Sequence, residues 1–130
     1  MGYEQHLYKV GLYPSDDDRS NTATNQFFGV DIGSSKNNVV GTGAGNAVIV
    51  YPKAGGPIFG VLQNNPLQGE AAELCAEGIT KARATGSFNV GDNLMVDAQG
   101  GFVAQSGSGV VVARACEQAT SGAIVAIRLV

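Results

Sequence analysis

From Gly69 to Val130, short apolar or alternating runs are separated about every eight to twelve residues by glycine-rich turns. The apolar residues of these runs are mostly aliphatic, with many Val and Ile, which favour strands over helices. Alternation with a period of two places every second side chain on one face of a strand. The pattern therefore predicts an all-β domain built from consecutive short strands, and it contains no arrangement typical of a catalytic centre.

The clearest predicted strands lie near the end of the chain. Asn93–Asp97 and Phe102–Gln105 flank the turn AQGG and predict a hairpin. Two further strands are predicted at Val110–Glu117 and Ala123–Val130. In the last of these, one face carries Val125, Ile127 and Leu129, and the other carries Ile124, Ala126 and Arg128.

The middle of the chain is harder to interpret. Strands are predicted at Asn38–Gly41, Ala47–Tyr51 and Ile58–Gln63. The segment Glu70–Ala84 is rich in helix-forming residues, but Gly78 interrupts it and no capping residue precedes it. We therefore favour a strand with a bulge at Gly78, and a helix is the alternative. As a strand, one face carries Ala72, Leu74 and Ala76, and the other carries Glu73, Cys75 and Glu77.

Residues 1–36 differ in character from the body predicted at residues 37–130. A strand-like run, YEQHLYKVGLY, is followed by the polar run PSDDDRSNTATNQ, whose composition is typical of loops. Such a segment buries too little apolar surface to offset its own ordering entropy. We interpret residues 1–36 as an extended N-terminal arm that orders against a partner, and a tail without a role is the alternative.

Aromatic residues favour docking of this arm, because rigid rings supply contact area at a low entropic cost. The predicted partner-binding residues are Tyr3, Tyr8, Tyr13, Phe27, Phe28, Ile58 and Phe59. Ile58 and Phe59 follow the turn PKAGGP, and for them a place in the core is the alternative to a subunit interface.

The chain carries little charge. Eight basic and eleven acidic residues give a formal net charge of −3, without the basic footprint of a nucleic-acid or anionic-membrane partner. Between Asn37 and Gly69 the only charged residue is Lys53, which indicates that a neighbour covers part of this surface. No apolar run reaches the ~20 residues of a membrane span, and the N-terminus has no signal-peptide pattern. Cys75 and Cys116 are expected to be reduced and buried thiols, with a disulfide as the alternative.

Several runs resemble catalytic or ligand-binding motifs, but each lacks a part that the chemistry requires. VDIGSSK at residues 30–36 resembles the first phosphate loop of actin-like ATPases, whose fold needs two large domains and further acidic and glycine-rich loops. GTGAGN at residues 41–46 fails the spacing of a dinucleotide fingerprint. His6 is the only histidine, so a catalytic triad or a His-based zinc site has no second member. The three adjacent carboxylates at residues 16–18 do not match a calcium loop. We therefore predict no catalytic residue, no metal site and no cofactor.

One resemblance extends over much of the chain. After a strand ending at Gly78 come the run Gly91-Asp92-x-Leu94, a Gly100-Gly101 hairpin, Ala113-Arg114-Ala115 leading to Glu117, and a Ser121-Gly122 turn into VAIRLV. This order is similar to that of the head decoration, or capsid cement, proteins of tailed bacteriophages. The resemblance covers approximately residues 39–130, and residues 1–36 depart from the shorter members of that family.

The resemblance implies a small β-barrel-like body of the type called a β-tulip. It implies homotrimers on the outer surface of the expanded head, at threefold or quasi-threefold positions, where they hold neighbouring major capsid proteins together. It implies no enzymatic activity and no cofactor. The expected partners are the major capsid protein and other copies of this chain, with no nucleic acid, membrane or small-molecule substrate. The expected location is the virion, after synthesis in the cytoplasm of the bacterial host.

Two other classes of function compete with this one. The first is a different structural β domain, associated with a tail, a fibre or a bacterial surface. The second is an enzyme, either an actin-like fragment or a small hydrolase.

Overall fold

The computed structural model describes residues 6–9, 13–14, 26–34, 47–65 and 72–130. Within these ranges the chain forms eleven strands in two sheets and no helix, so the predicted all-β class is confirmed. The two sheets are separate, and neither closes on itself in the described part of the chain. None of the described residues belongs to a helix long and apolar enough to cross a membrane.

Six strands form the first sheet. They are His6–Lys9 (β1), Tyr13–Pro14 (β2), Gly29–Ser34 (β3), Ala47–Val50 (β4), Gly60–Leu62 (β5) and Glu73–Glu77 (β6). Their order across the sheet is β1-β6-β5-β3-β4-β2. Neighbouring strands are antiparallel, except that β2 and β4 are parallel.

Five strands form the second sheet. They are Ile79–Arg83 (β7), Asn93–Val96 (β8), Phe102–Ala104 (β9), Ala113–Ala115 (β10) and Ile124–Leu129 (β11). Their order is β7-β11-β10-β8-β9, and all neighbours are antiparallel. The predicted hairpin is confirmed as β8 and β9. The predicted faces of the last strand are also confirmed, because Val125, Ile127 and Leu129 are buried and their neighbours are not.

The hairpin turn is organised by the carboxylate of Asp97. Its Oδ1 accepts hydrogen bonds from the amides of Gln99 and Gly101, each at 2.9 Å. Its Oδ2 accepts the hydroxyl of Thr85 at 2.7 Å. Gly101 packs so closely on Thr85 that an added Cβ would collide with that side chain. The turn is therefore fixed both by hydrogen bonds and by the absence of a side chain at residue 101.

Gly78 connects the two sheets. The segment that allowed either a helix or a strand forms two strands, β6 and β7, with Gly78 between them at a φ of 87°. A residue with a side chain adopts such a φ only with strain. The expected bulge within one strand is therefore replaced by a crossing from one sheet to the other. The carbonyl of Gly78 accepts the amide of Leu129 at 2.9 Å, which ties the crossing to the end of β11.

Two apolar clusters form the core. The larger joins the sheets: Val61 and Cys75 of the first sheet pack with Leu94, Val96, Phe102, Ile127 and other residues of the second. The smaller consists of Val30, Ile49, Leu62, Ala72 and Leu74. Consecutive residues of β6, Leu74 and Cys75, thus belong to different clusters, so both faces of this strand are buried. The burial of Cys75 agrees with the expectation that its thiol is buried.

Two observed strands are much shorter than predicted. Strands were predicted at Ile58–Gln63 and Val110–Glu117. The observed strands there, β5 and β10, have only three residues each. Residues 110–112 instead make loop contacts, since the amide of Val110 donates to Gly55 O and that of Val112 to Leu94 O. The strand predicted at Asn38–Gly41 lies outside the described residues.

Three strands of the first sheet come from the first 36 residues. Two of them, β1 and β2, are the edges of the sheet, and the third, β3, lies inside it and pairs with β4 on one side and β5 on the other. Its Val30 is fully buried. The division of the chain into an arm of residues 1–36 and a body of residues 37–130 stays a prediction. The pairing of β3 means, however, that a test of the arm must leave this strand in place.

The two cysteines are free. Cys75 is buried as expected, whereas Cys116 is exposed, so the expectation of a buried thiol was wrong at Cys116, which lies just beyond the short strand β10. Burial raises the pKa of the Cys75 thiol above its ordinary value of 9.0, because the thiolate would lose its hydration. The Cys75 thiol donates a hydrogen bond to the carbonyl of Glu77 at 3.0 Å.

We predict that Phe102→Ala lowers the free energy of unfolding by about 3–5 kcal/mol, because it empties a fully buried site between the sheets. The matched control is Phe59→Ala, whose ring is exposed, and its expected cost is about 1 kcal/mol or less. Urea denaturation measures both. Equal losses in the two variants would contradict the assigned core.

We also predict that stability falls as the pH rises above about 9. The unfolded chain ionises the Cys75 thiol near its ordinary pKa, whereas the folded chain keeps it neutral to higher pH, so the unfolded state gains stability there. Urea titrations at pH 7 and pH 10 should show a larger decline for the natural protein than for Cys75→Ala. Cys116→Ala is the control and should decline like the natural protein. If the stability of Cys75→Ala declined with pH as much as that of the natural protein, the raised pKa of Cys75 would be refuted.

Candidate interaction surfaces

A groove lies at the seam between the two sheets, lined by apolar residues whose backbone atoms make about half of its exposed surface polar. Its volume is about 160 Å³. It is lined by Pro57, Ile58, Phe59, Gly60, Ala76, Val110, Val111, Val112, Leu129 and Val130. These residues come from the start of β5, the end of β6, the loop before β10 and the end of β11. The groove therefore forms where the packing of the two sheets ends.

Three hydrophobic residues of the groove are exposed. Phe59, Val110 and Val130 are 39%, 45% and 72% exposed. Each is held by a backbone hydrogen bond: Phe59 N donates to Val30 O, Val110 N to Gly55 O, and Val130 N to Val112 O. Apolar groups that converge on one preformed concave site are typical of binding surfaces.

The structure places both Ile58 and Phe59 in the lining of this groove. Ile58 is half-buried and also packs against the larger core cluster, so part of its side chain lies in the core. Phe59 is the more exposed of the two. Their role in binding a partner stays a prediction.

Phe27 and Phe28 lie against the body of their own chain. The amide of Phe27 donates to Leu62 O at 2.7 Å, and its carbonyl accepts the amide of Arg83 at 2.9 Å. Phe27 has a φ of 71°, which is rare for a residue with a side chain. The ring of Phe28 lies under the guanidinium of Arg83, with the central carbon 5.3 Å from the ring centroid. These two aromatic residues are therefore half-buried rather than freely presented.

The other predicted aromatic contacts are only partly described. Tyr8 lies in β1 opposite Leu74, and Tyr13 lies in β2 opposite Val48. Tyr3 lies outside the described residues. All three stay predictions as partner-binding residues.

Two exposed residues of the groove, Val110 and Val130, were missed by the sequence analysis. Val110 was assigned to a strand, where alternation gives it no special exposure. Val130 was assigned to the end of the last strand. The sequence offered one indication of a binding surface, the low charge around Lys53. That indication could not show that the loop before β10 contributes residues to the same groove.

The described residues offer little reactive chemistry. No three of their His, Cys, Asp or Glu side chains are grouped so that they could hold a metal ion. The buried hydroxyl of Thr80 accepts a hydrogen bond from Gln63 Nε2 at 2.9 Å and donates to Lys81 O at 3.1 Å. Gln63 Nε2 also donates to Val61 O. These polar groups satisfy one another and hold the sheets together.

Comparison with solved structures shows a likeness in fold. No family model matches the chain, and no curated protein matches its sequence. Among solved structures, the chain is similar to the N base of head fiber gp8.5 from bacteriophage phi29, with a TM-score of 0.65. The match covers 98% of this chain and 93% of that one, and the two sequences are 14% identical. The chain therefore shares its fold with the base of a phage head fiber.

Proposed function

We propose that this protein is a structural component of a phage virion that binds the outer surface of the head. The observation that carries the proposal is the shared fold with the N base of a phage head fiber, which extends over almost the whole of both chains. The proposal is independently supported by the order of glycine turns and strands between Gly78 and Val130, which resembles that of head decoration proteins.

The apolar groove is the proposed capsid-binding site. Hot spots of protein interfaces are apolar and aromatic side chains that enter or line a pocket and lose their water on binding. Phe59 supplies an aromatic ring there, and Val110 and Val130 supply exposed aliphatic groups. Residues 57–60 of the groove belong to a stretch of sequence whose only charged residue is Lys53. Few charged groups of this stretch would therefore lose their water when a partner binds.

The proposed assembly is a homotrimer that cements neighbouring major capsid proteins at threefold or quasi-threefold positions. Three copies present three grooves, and once the first has bound, the others are held at a high effective concentration. Weak contacts of one small domain then add up to stable attachment. In this proposal the protein is made in the host cytoplasm, joins the virion, and has no enzymatic activity.

A second candidate is the base of a fibre. The name of the matching structure favours it, because that domain is the N base of a head fiber. In this case the body would still bind the head, but it would carry a fibre rather than act as a cement. The two candidates differ in whether bound protein raises the stability of the shell.

We predict that the protein binds expanded, emptied heads of the phage whose genome encodes it, and that Val110→Ser lowers its occupancy about tenfold. The change replaces an exposed apolar side chain of the groove by a polar one. The matched control is Val90→Ser, because Val90 is 66% exposed and lies outside the groove. Co-sedimentation with heads measures occupancy. Equal binding of both variants would remove the groove from the interface, and no binding of the natural protein would overturn the proposed function.

We predict a separate loss of head occupancy when residues 1–25 are removed. The truncation ends before Gln26, so it leaves β3 and the buried Val30 in place. The truncation also removes β1 and β2, the two edge strands of the first sheet. The companion variant Tyr3→Ala/Tyr8→Ala/Tyr13→Ala therefore keeps the backbone. Both are expected to lower occupancy while the melting temperature of the triple variant stays within a few degrees of the natural value. Unchanged occupancy in both would show that the arm aromatics do not bind the partner.

A further inference from the structure

The outer face of the second sheet carries half of the basic residues of the chain. Lys81 and Arg83 lie on β7, Arg114 on β10 and Arg128 on β11, each at an alternate position that faces away from the core. These three strands are adjacent in the sheet. None of the strands of this sheet contains an acidic residue. The result is a cationic face on a protein whose net charge is −3.

The strand register concentrates the positive charge of this face. Arg114 and Arg128 are directly opposite one another on β10 and β11. Lys81 is opposite Ala126, two positions along β11 from Arg128, and so lies diagonally across from it. Like charges directly opposite on neighbouring strands destabilise a sheet. The arrangement therefore lowers the stability of the isolated sheet unless an anion lies against it.

The carboxylates at the ends of these strands accept hydrogen bonds from the backbone. Glu117, which follows β10, accepts the amide of Ala126 at 2.9 Å. Asp92, which precedes β8, accepts the amide of Asn89 at 2.9 Å. Asp97 organises the hairpin turn between β8 and β9. Each of these carboxylates therefore has a partner of its own in a turn or at a strand end.

Three of the four cations of the face are open to a partner. Lys81, Arg114 and Arg128 are exposed, and none of them forms an ion pair with another described residue. Arg114 donates from Nε and Nη2 to the carbonyl of Gly91, at 3.4 and 3.2 Å, and its Nη1 has no hydrogen-bond partner among the described residues. The fourth cation, Arg83, is half-buried, so an incoming anion meets the other three first.

The composition of the face indicates that its partner is a protein. Ile79 and Ile124 lie on the same side of β7 and β11 and are 39% and 44% exposed. Arginine next to exposed aliphatic groups is typical of protein interfaces, whereas a polyanion is bound mainly through charge. All but one of the basic residues of the face are arginine, whose guanidinium pairs with a carboxylate through two parallel hydrogen bonds. The complementary group is therefore a carboxylate.

The described part of a second copy does not offer a matching acidic surface. Two cationic faces would bring arginine against arginine. Among the described residues the exposed carboxylates are those of Glu77 and Glu117. Glu77 ends β6 in the first sheet, whereas Glu117 follows β10 in the second. Nothing brings these two together into an acidic cluster, which favours a different protein as the partner.

We propose that this cationic face is a second docking surface, and that a carboxylate-bearing surface of a different protein occupies it. Arg128 and Leu129 are consecutive in β11 and point to opposite sides of the strand. Leu129 lines the groove, so the cationic face is separate from the groove. The inference rests on the proposed function for the identity of the partner, which is then a subunit of the head shell. A chain that holds neighbouring subunits together needs at least two contact surfaces.

The test compares Arg128→Gln with Gln99→Glu by co-sedimentation of the full chain with expanded, emptied heads. Both changes alter the net charge equally, but Gln99 is exposed in the turn between β8 and β9, outside the cationic face. We expect Gln99→Glu to bind as the natural protein does, and Arg128→Gln to raise the dissociation constant about fivefold or more, because it removes a guanidinium–carboxylate pair. Lys81→Gln, on the neighbouring strand, should weaken binding as well.

Two further measurements separate the contact from folding. Raising the salt from about 0.05 to about 0.5 M should weaken binding of the natural protein more than that of Arg128→Gln, because salt screens the charges that the variant lacks. The melting temperatures of the three variants should stay within a few degrees of the natural value, because all three positions are exposed. A loss of binding at an unchanged melting temperature then reports on the contact alone.

Head binding that is unchanged in both Arg128→Gln and Lys81→Gln would overturn the inference and leave the proposed function intact. If the natural protein ignores heads, the proposed function is refuted, and fluorescence anisotropy with a labelled oligo-glutamate peptide decides the inference. Peptide binding that Arg128→Gln weakens would uphold it, and no peptide binding would overturn it. Single-stranded DNA of the same length that binds more tightly than the peptide would assign the face to nucleic acid and overturn it. A salt-sensitive oligomer that Arg128→Gln dissociates would assign the face to a second copy, with the same consequence.

Discussion

The packing of the two sheets through one apolar cluster is the interaction on which the rest of the structure depends. Phe102, Leu94 and Ile127 are fully buried in it, and Val61 and Cys75 join it from the first sheet. Burial of this kind stabilises by roughly 1.5–3 kcal/mol for each large side chain. Where the packing ends, Leu129 belongs both to the cluster and to the lining of the groove. The groove is therefore the margin of the core.

The same packing explains why the second sheet presents so distinct an outer face. Thr80, Ala82, Val125 and Ile127 point inward, so the alternate positions of the same strands must point outward. The register of β10, β11 and β7 sets the relative positions of Arg114, Arg128 and Lys81 on that face, and Arg114 also donates to the carbonyl of Gly91.

The sequence predicted most of the second sheet because its signals are local. The turn AQGG and the alternation of Val125, Ile127 and Leu129 each follow from a few neighbouring residues. The features that it did not predict depend on long-range pairing. Nothing near Gly78 shows that the chain changes sheets there, and the burial of both Leu74 and Cys75 is visible only once each sheet is in place. In the same way, the opposition of Arg114 and Arg128 follows from a register that no local pattern sets. Of the residues that line the groove, Ile58 and Phe59 were named from the sequence as candidates for binding, whereas Val110 and Val130 were not.

A density map of expanded heads incubated with the protein, obtained by cryo-electron microscopy, tests the central claim most directly. The account predicts added density on the outer surface at threefold or quasi-threefold positions, with three two-sheet bodies in a ring. Phe59 and the rest of the groove should face the capsid, and Arg114 and Arg128 should lie against acidic residues of a shell subunit. Heads without added density, or single bodies whose groove faces solvent, would contradict it.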